Sequence, residues 1–294
     1  MSRCFRFASS LALAVVFLSS CATTRAPKVP YFDFQAMGEE GVIVVTVDAV
    51  KEQEMVALAF SDLEEFARRA ERVSLSLRPS SSAYPLEMES IEAYGVVKGD
   101  YPKFLINTGM MYASELGRQT TKDGLSYFSQ KEGLVSLHAP KNDTLLFTNA
   151  SYEKAYERFA SKQTLIDLET ALSMADASIA VYALEPNTFF DLGLDLPETV
   201  ITQAKVMLLL INQNENGQYS LDAFITMDTP KLANTLSQMV RTGHLARLKR
   251  EKVPYKISDL MKMFLIEDDL VTIKHMDLGE EQMALLRKSL TGLL

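Results

Sequence analysis

An apolar strand, a short polar turn, then an amphipathic helix: this rhythm recurs four times along the chain, and it restricts the fold to a sheet carrying helices. The first unit is Val42 to Val47, followed by a predicted helix over 51–72 with Val56, Phe60, Leu63, Phe66, Ala67 and Ala70 on one face. Arg68, Arg69 and Arg72 close it, which suits the negative end of a helix dipole. The second is Thr144 to Thr148, with Asn149-Ala150-Ser151 as start signal and Tyr152, Ala155, Tyr156, Phe159 and Ala160 on one face. The third is a hairpin, Val206–Ile211 and Tyr219–Met227, turning at Asn216-Gly217. Asp228-Thr229-Pro230 then opens a helix, proline being tolerated in a first turn. The fourth runs from Leu270 to Met276, then Gly279 and a helix through Met283, Leu286 and Leu290.

Val73 to Leu77 alternates strictly, which predicts one wet face. Ser90–Val97, Lys103–Thr108, Tyr127–Ala139 and Ser178–Leu184 read as extended. Thr164 and Asp167 offer a capping-box-like start to a linking helix with Leu165, Leu168, Leu172 and Ala175 on one face. The order predicts an α+β fold, a mostly antiparallel sheet or sheets covered on one face by amphipathic helices. Two related halves, 41–163 and 164–294, follow from the repetition, and the pattern leaves open whether they share one sheet.

Ahead of this body stands an export signal. Arg3 and Arg6 form a positive start, Phe7 to Leu18 is an apolar run, and Leu18-Ser19-Ser20-Cys21 follows. That tetrad resembles the bacterial lipobox. The resemblance implies removal of residues 1–20 and acylation of Cys21, a lipid anchor on a flexible tether over 21–40. Polar, Pro-bearing residues from Ala22 to Pro30 fit a stalk. From Cys21 to Gly41 it can extend at most ~65 Å. Ala22 is not the Asp that retains enterobacterial lipoproteins at the inner membrane, so the family rule favours the outer membrane, with the domain facing the periplasm.

The chain holds two cysteines, and Cys4 leaves with the signal. With Cys21 acylated, no intrachain disulfide is possible and the core alone must hold the fold. Net charge is −8, and losing Arg3 and Arg6 takes the mature part to −10. An acidic chain argues against nucleic-acid binding. Tryptophan is absent and methionine occurs fourteen times, a residue that fills irregular cores and adaptable apolar surfaces. After the signal no apolar run approaches the ~20 residues of a membrane-spanning helix.

No nucleophile–base set, metal-ligand spacing or phosphate-binding loop is visible, so no catalytic residue, metal or cofactor is expected. His138, His244 and His275 lack partners at ligand spacing and read as structural: His138 and His275 on strand faces, His244 beside Gly243 at a helix end. Glu267-Asp268-Asp269 reads as a solvated turn. One cationic cluster stands out from the acidic background: Arg241, Arg247, Lys249, Arg250, Lys252 and Lys256, against a single Glu251. Leu232, Leu236, Met239 and Val240 form a stripe upstream, and Gly243 reads as the helix end. A basic segment carrying apolar residues suits an anionic membrane surface, and a solvated helix end is the plainer reading.

With its lipobox, lack of disulfides and repeated amphipathic helices, the chain resembles spirochaetal outer-membrane-associated lipoproteins. The resemblance implies a non-catalytic, membrane-tethered protein that binds lipid or the membrane interface, with Arg241, Arg247, Lys249, Arg250 and Lys252 as candidate contacts. The alternative is a tethered scaffold or accessory subunit binding a protein partner in an envelope complex.

Overall fold

Every residue from Val42 to Val47 is buried, so this strand must lie inside a sheet covered on both faces. A computed structural model describes residues 29–60, 64–79, 90–131, 135–186 and 196–291. Residues 1–20, expected to be an export signal, Cys21, the first part of the expected tether and Leu63 lie outside the described residues.

Among the described residues twelve strands form one antiparallel sheet. They are β1 Val42–Asp48, β2 Ala70–Pro79, β3 Ile91–Gly99, β4 Leu116–Thr120, β5 Ser126–Gln130, β6 Ser136–Lys141 and β7 Thr144–Thr148. Then come β8 Ile179–Leu184, β9 Ala204–Gln213, β10 Tyr219–Met227, β11 Phe264–Glu267 and β12 Leu270–Leu278. Their order is β11-β12-β10-β9-β8-β1-β2-β3-β7-β6-β5-β4. The middle pair, β1 with β8, sets Val45 opposite Val181. Outward from it, β1-β2-β3-β7-β6 on one side matches β8-β9-β10-β12-β11 on the other, and the two halves share a single sheet.

The helices are α1 Gln53–Ala59, α2 Glu64–Arg69, α3 Lys103–Tyr112, α4 Tyr152–Ser161, α5 Leu168–Asp176, α6 Glu198–Ile201, α7 Pro230–Arg250, α8 Ile257–Met263 and α9 Glu280–Thr291. The α+β, antiparallel class read from the sequence is the one the chain adopts. Its helical cover is wider than one face. Ile43, Val45 and Val47 pack under Met55 of α1, Leu236 of α7, Leu260 of α8 and Leu286 of α9. On the opposite face Val42, Val44 and Leu146 pack under Phe34, Met37, Phe159 of α4 and Met174 of α5. Both layers are required, because β1 has no polar face to give to water.

Several local expectations change once packing is seen. The helix expected over 51–72 breaks into α1 and α2, and Ala70 already pairs with Gly99 in the sheet. Arg72 therefore belongs to β2, where its Nη2 donates to the Ala175 carbonyl at 2.6 Å and lies 3.6 Å from Asp48. Burial lowers its pKa, against the pull of Asp48 and Asp176. The strand expected to have a wet face is dry on both. Ser74 bonds Thr46 at 3.0 Å, and Ser76 donates to the Met37 carbonyl at 3.3 Å. Lys103–Thr108 is helical, not extended, and starts after Pro102. Of the leucines expected on one face of this helix, Leu165 lies ahead of α5 and is exposed like Leu168 and Leu172, while Ala171 and Met174 face the core. Small Ala171 lets the helix approach the sheet closely, and Ile166 takes the adjoining core position.

Candidate functional site

Helix α7 is capped by Thr229, whose hydroxyl accepts the Leu232 amide, and Pro230 occupies its first turn. It does not stop at Gly243. Burial continues at helical spacing through Val240, His244, Arg247 and Leu248. His244 is thus a mid-helix core residue, edge-on to Phe264 at 5.9 Å. Arg247 Nη2 lies 3.1 Å from His244 Nδ1, and guanidinium can only donate, so Nδ1 accepts.

The helix ends at Arg250 in a two-bond lock. Val253 N–H reaches Leu248 O at 2.9 Å and Lys252 N–H reaches Lys249 O at 3.3 Å, with Lys252 left-handed at φ 55°. This is the Schellman arrangement, here with lysine where glycine is usual. Pro254 follows and α8 begins after Lys256.

These turns sort the cationic cluster. Arg247 is 3% exposed and donates to the Gln282 side chain and the Asp277 carbonyl, so it ties α7 to α9 and β12. Arg241 is half-buried, 3.4 Å from the Phe264 carbonyl and over the Phe264 ring. Lys249, Arg250, Lys252, Lys256 and Lys262 are exposed. Among them stand exposed apolar side chains: Val253, Tyr255, Ile257 at 71% and Met261 at 63%. Ile257 and Met261 share the outer face of α8 at i,i+4, while Leu260 anchors its inner face in the core. The sequence signal for this surface was present as apolar residues four apart between lysines. It was missed because the basic run was read as the tail of α7 alone.

A second apolar surface lies toward the other end of the sheet. Phe104, Leu105, Met111 and Tyr112 of α3 are exposed, and Ile106 packs against the same core as Leu260. A cleft of about 490 Å³ runs beside this helix, lined by Phe104, Met111, Arg118, Leu125, Phe128 and His138. His138 is buried with its Nδ1 2.9 Å from the Tyr152 hydroxyl. Burial, and then the charge of Lys103, lower its pKa to about 4, so the ring is neutral.

The stripes around Phe60 and Phe159 turn inward: Phe159 is buried and Phe60 packs against the core, whereas Met239 is exposed. His275, expected in the core or at an edge, is exposed. A register shift between Leu221 and Ala223 bulges the ladder, and His275 adopts φ 53° beside Asp222. Glu267-Asp268-Asp269 forms the β11–β12 turn. Among the described residues no three His, Cys, Asp or Glu side chains are grouped to hold a metal, and no helix is long and apolar enough to cross a membrane.

No protein-family model and no curated protein matches this sequence. Solved structures do match the fold. Crystal form I of TP0453 superposes with TM-score 0.58 at 12% identity, over 90% of this chain and 99% of that one. Crystal form III gives 0.57 at 11% identity, over 90% and 100%. Crystal form IV gives 0.57 at 11%, over 89% and 98%. At such identity the likeness shows a shared fold.

Proposed function

We propose that this chain is a non-catalytic lipoprotein, tethered through acylated Cys21 to the outer membrane on the periplasmic side, that engages lipid at the membrane interface. The observation that carries the reading is the α7–α8 surface. Exposed Ile257, Met261, Val253 and Tyr255 are interleaved with Lys249, Arg250, Lys252, Lys256 and Lys262. Five cations against Glu251 and Asp259 over residues 249–262 invert the acidic character of the chain. Each Lys or Arg near an anionic surface contributes about 1 kcal/mol, and burying Ile257 or Met261 in the interface adds up to ~2 kcal/mol apiece. Such a surface binds anionic lipid by itself in a salt-dependent way. Beside a tether of two or more acyl chains it orients the domain. The exposed face of α3 supplies a second apolar contact.

The test is flotation of the non-acylated domain, residues 22–294, with anionic and neutral vesicles at low and high salt. Binding to anionic vesicles that weakens with salt and with neutralisation of Lys249, Arg250 and Lys252 is the expected result. No flotation under any condition sinks direct membrane engagement and turns attention to a protein partner.

A further inference from the structure

The β4–β5 hairpin parts from the rest of the sheet along β6. Strand β5 pairs with β6 only at Phe128–Leu137 and Ser129–Ser136. Beyond Leu137 the outer edge of β6 goes to α3, where the Asn107 side chain donates to the Ala139 carbonyl and accepts its N–H, both at 3.0 Å. The cleft of about 490 Å³ lies in this fork, within the ~300–1,000 Å³ of small-molecule pockets. Phe104, Thr108 and Met111 line it from α3 at helical spacing, and Leu125 and Phe128 from the hairpin.

Charge in this cleft has one sign. No Asp or Glu lines it, in a chain of net charge −8. Exposed Lys103 and Arg118 do, and neither has a carboxylate partner among the described residues. The Ser126 hydroxyl accepts from Arg118 at 2.8 Å and steadies the guanidinium. The third polar group is His138, 4% exposed, its Nδ1 2.9 Å from the Tyr152 hydroxyl. Tyr152 is buried and its phenol proton has no other acceptor among the described residues, so Nδ1 accepts it. The neutral ring then carries its own hydrogen on Nε2, which has no partner among the described residues and is left for the cleft that His138 lines. A buried donor of this kind costs free energy until an acceptor reaches it.

We propose that this cleft binds one long-chain carboxylate, its head held by Lys103, Arg118 and the His138 Nε2–H and its alkyl chain lying between Phe104, Met111, Leu125 and Phe128. The anionic oxygens then meet two cations and one neutral donor. The hydrocarbon tail covers the apolar walls, which a free phosphate or acetate leaves in water. The site lies toward the opposite end of the sheet from the α7–α8 surface and needs no membrane.

Both core clusters and their packed neighbours lie between Phe32 and Leu290, so residues 22–294 carry the whole fold and serve for the test. Calorimetric titration with octanoate, decanoate and dodecanoate, below their micelle concentrations, is expected to show one molecule per chain. Each added methylene should tighten binding about fourfold. Decanol, with the chain but no charge, should bind about tenfold more weakly than decanoate. The His138 ring resonances should shift on titration. Met111→Trp, at an exposed position, fills the cleft and should abolish binding. Arg118→Gln should weaken decanoate several-fold and leave decanol unchanged. A folded domain that binds no carboxylate overturns the proposal, as does binding of many molecules per chain or binding indifferent to Met111→Trp. Decanol equal to decanoate overturns the cationic head site, and unmoved His138 resonances overturn that residue's part in it. Vesicle flotation reads the α7–α8 surface, so either experiment can fail while the other succeeds.

Discussion

The hydroxyl of Tyr219 donates to Oε1 of Glu52 at 2.7 Å, joining residues 167 positions apart. Arg287 Nη2 completes the cluster, 2.8 Å from the same hydroxyl and 3.3 Å from Glu52 Oε2. Glu52 is 1% exposed, and it sits at the start of α1, so the cluster pins α1 to β10 and α9. Burial, and then the neighbouring carboxylate, push the Tyr219 pKa up to about 12, which keeps the phenol a donor. Glu52→Ala strips both donors of their acceptor and should cost about 3 kcal/mol in urea unfolding. Tyr219→Phe, which takes the hydroxyl from Arg287 but leaves the Arg287–Glu52 ion pair in place, should cost about 1–2 kcal/mol. The reverse ranking would mean that the hydroxyl is held mainly by Arg287 and that the carboxylate contributes little.

Gly95 of β3 lies directly opposite Phe147 of β7, and a Cβ there would fall 2.2 Å from the Phe147 ring. The ring covers the glycine and meets Phe60 edge-on at 6.5 Å. Gly95→Ala must push the ring away and should destabilise by about 1–3 kcal/mol, read as a lowered thermal midpoint. Adding Phe147→Leu should recover part of that loss, since the clash goes with the ring.

The strands with a clean period or a turn signal were legible: β1, β7, the β9–β10 hairpin around Gly217, and β12 up to Ile273. What escaped depended on contacts far away in sequence. Gly243 costs a helix about 1 kcal/mol, and burial of His244, Arg247 and Leu248 against β12 and α9 outweighs it. Taking Gly243 as a stop lost the helical phase beyond it, and that phase alone separates buried Arg247 from exposed Lys249 and Arg250. In α5 the larger leucines suggested the inward face, whereas the sheet accepts Ala171 and Met174. Past Ile273 the strand parity fails, because the bulge that exposes His275 is set by β10.

Lys252 is left-handed at φ 55°, a conformation that costs a side-chain-bearing residue about 1 kcal/mol relative to glycine. Lys252→Gly should therefore stabilise the fold by roughly 0.5–1 kcal/mol while removing one of the exposed cations. Stability and membrane affinity should move in opposite directions: a higher urea midpoint with weaker flotation on anionic vesicles. A rise in both would detach Lys252 from the membrane-facing role.

His138 supplies a pH signature. Its folded pKa of about 4 lies below the ordinary value of 6.5, because burial and then Lys103 disfavour the cation. Between these values the unfolded chain binds a proton that the folded chain refuses. Stability is thus complete above pH 6.5 and falls as pH drops toward 4, by at most about 1.4 kcal/mol per pH unit from this group. His138→Gln should flatten that part of the unfolding profile at neutral-pH stability set by how well it keeps the Tyr152 hydroxyl bonded. An unchanged slope would mean that other groups carry the acid sensitivity.

The cationic cluster divides into structural and interfacial members, and the division can be measured. Arg247 sends its guanidinium to Gln282 and to the Asp277 carbonyl from a buried position, so truncating it leaves buried acceptors without donors. Arg247→Ala should destabilise the fold by about 2–4 kcal/mol. Lys249 and Arg250 are exposed near the end of α7, and changing both to Gln should alter stability by no more than about 0.5 kcal/mol each. Their removal should instead weaken salt-sensitive flotation on anionic vesicles, about 1 kcal/mol for each charge. A combined neutralisation that included Arg247 would confuse the two effects, since a partly unfolded domain exposes apolar core and binds vesicles for the wrong reason. The two variants must therefore be compared separately, each with its unfolding curve. If Arg247→Ala stayed fully stable and alone abolished flotation, the packing seen here would not be the state that meets the membrane.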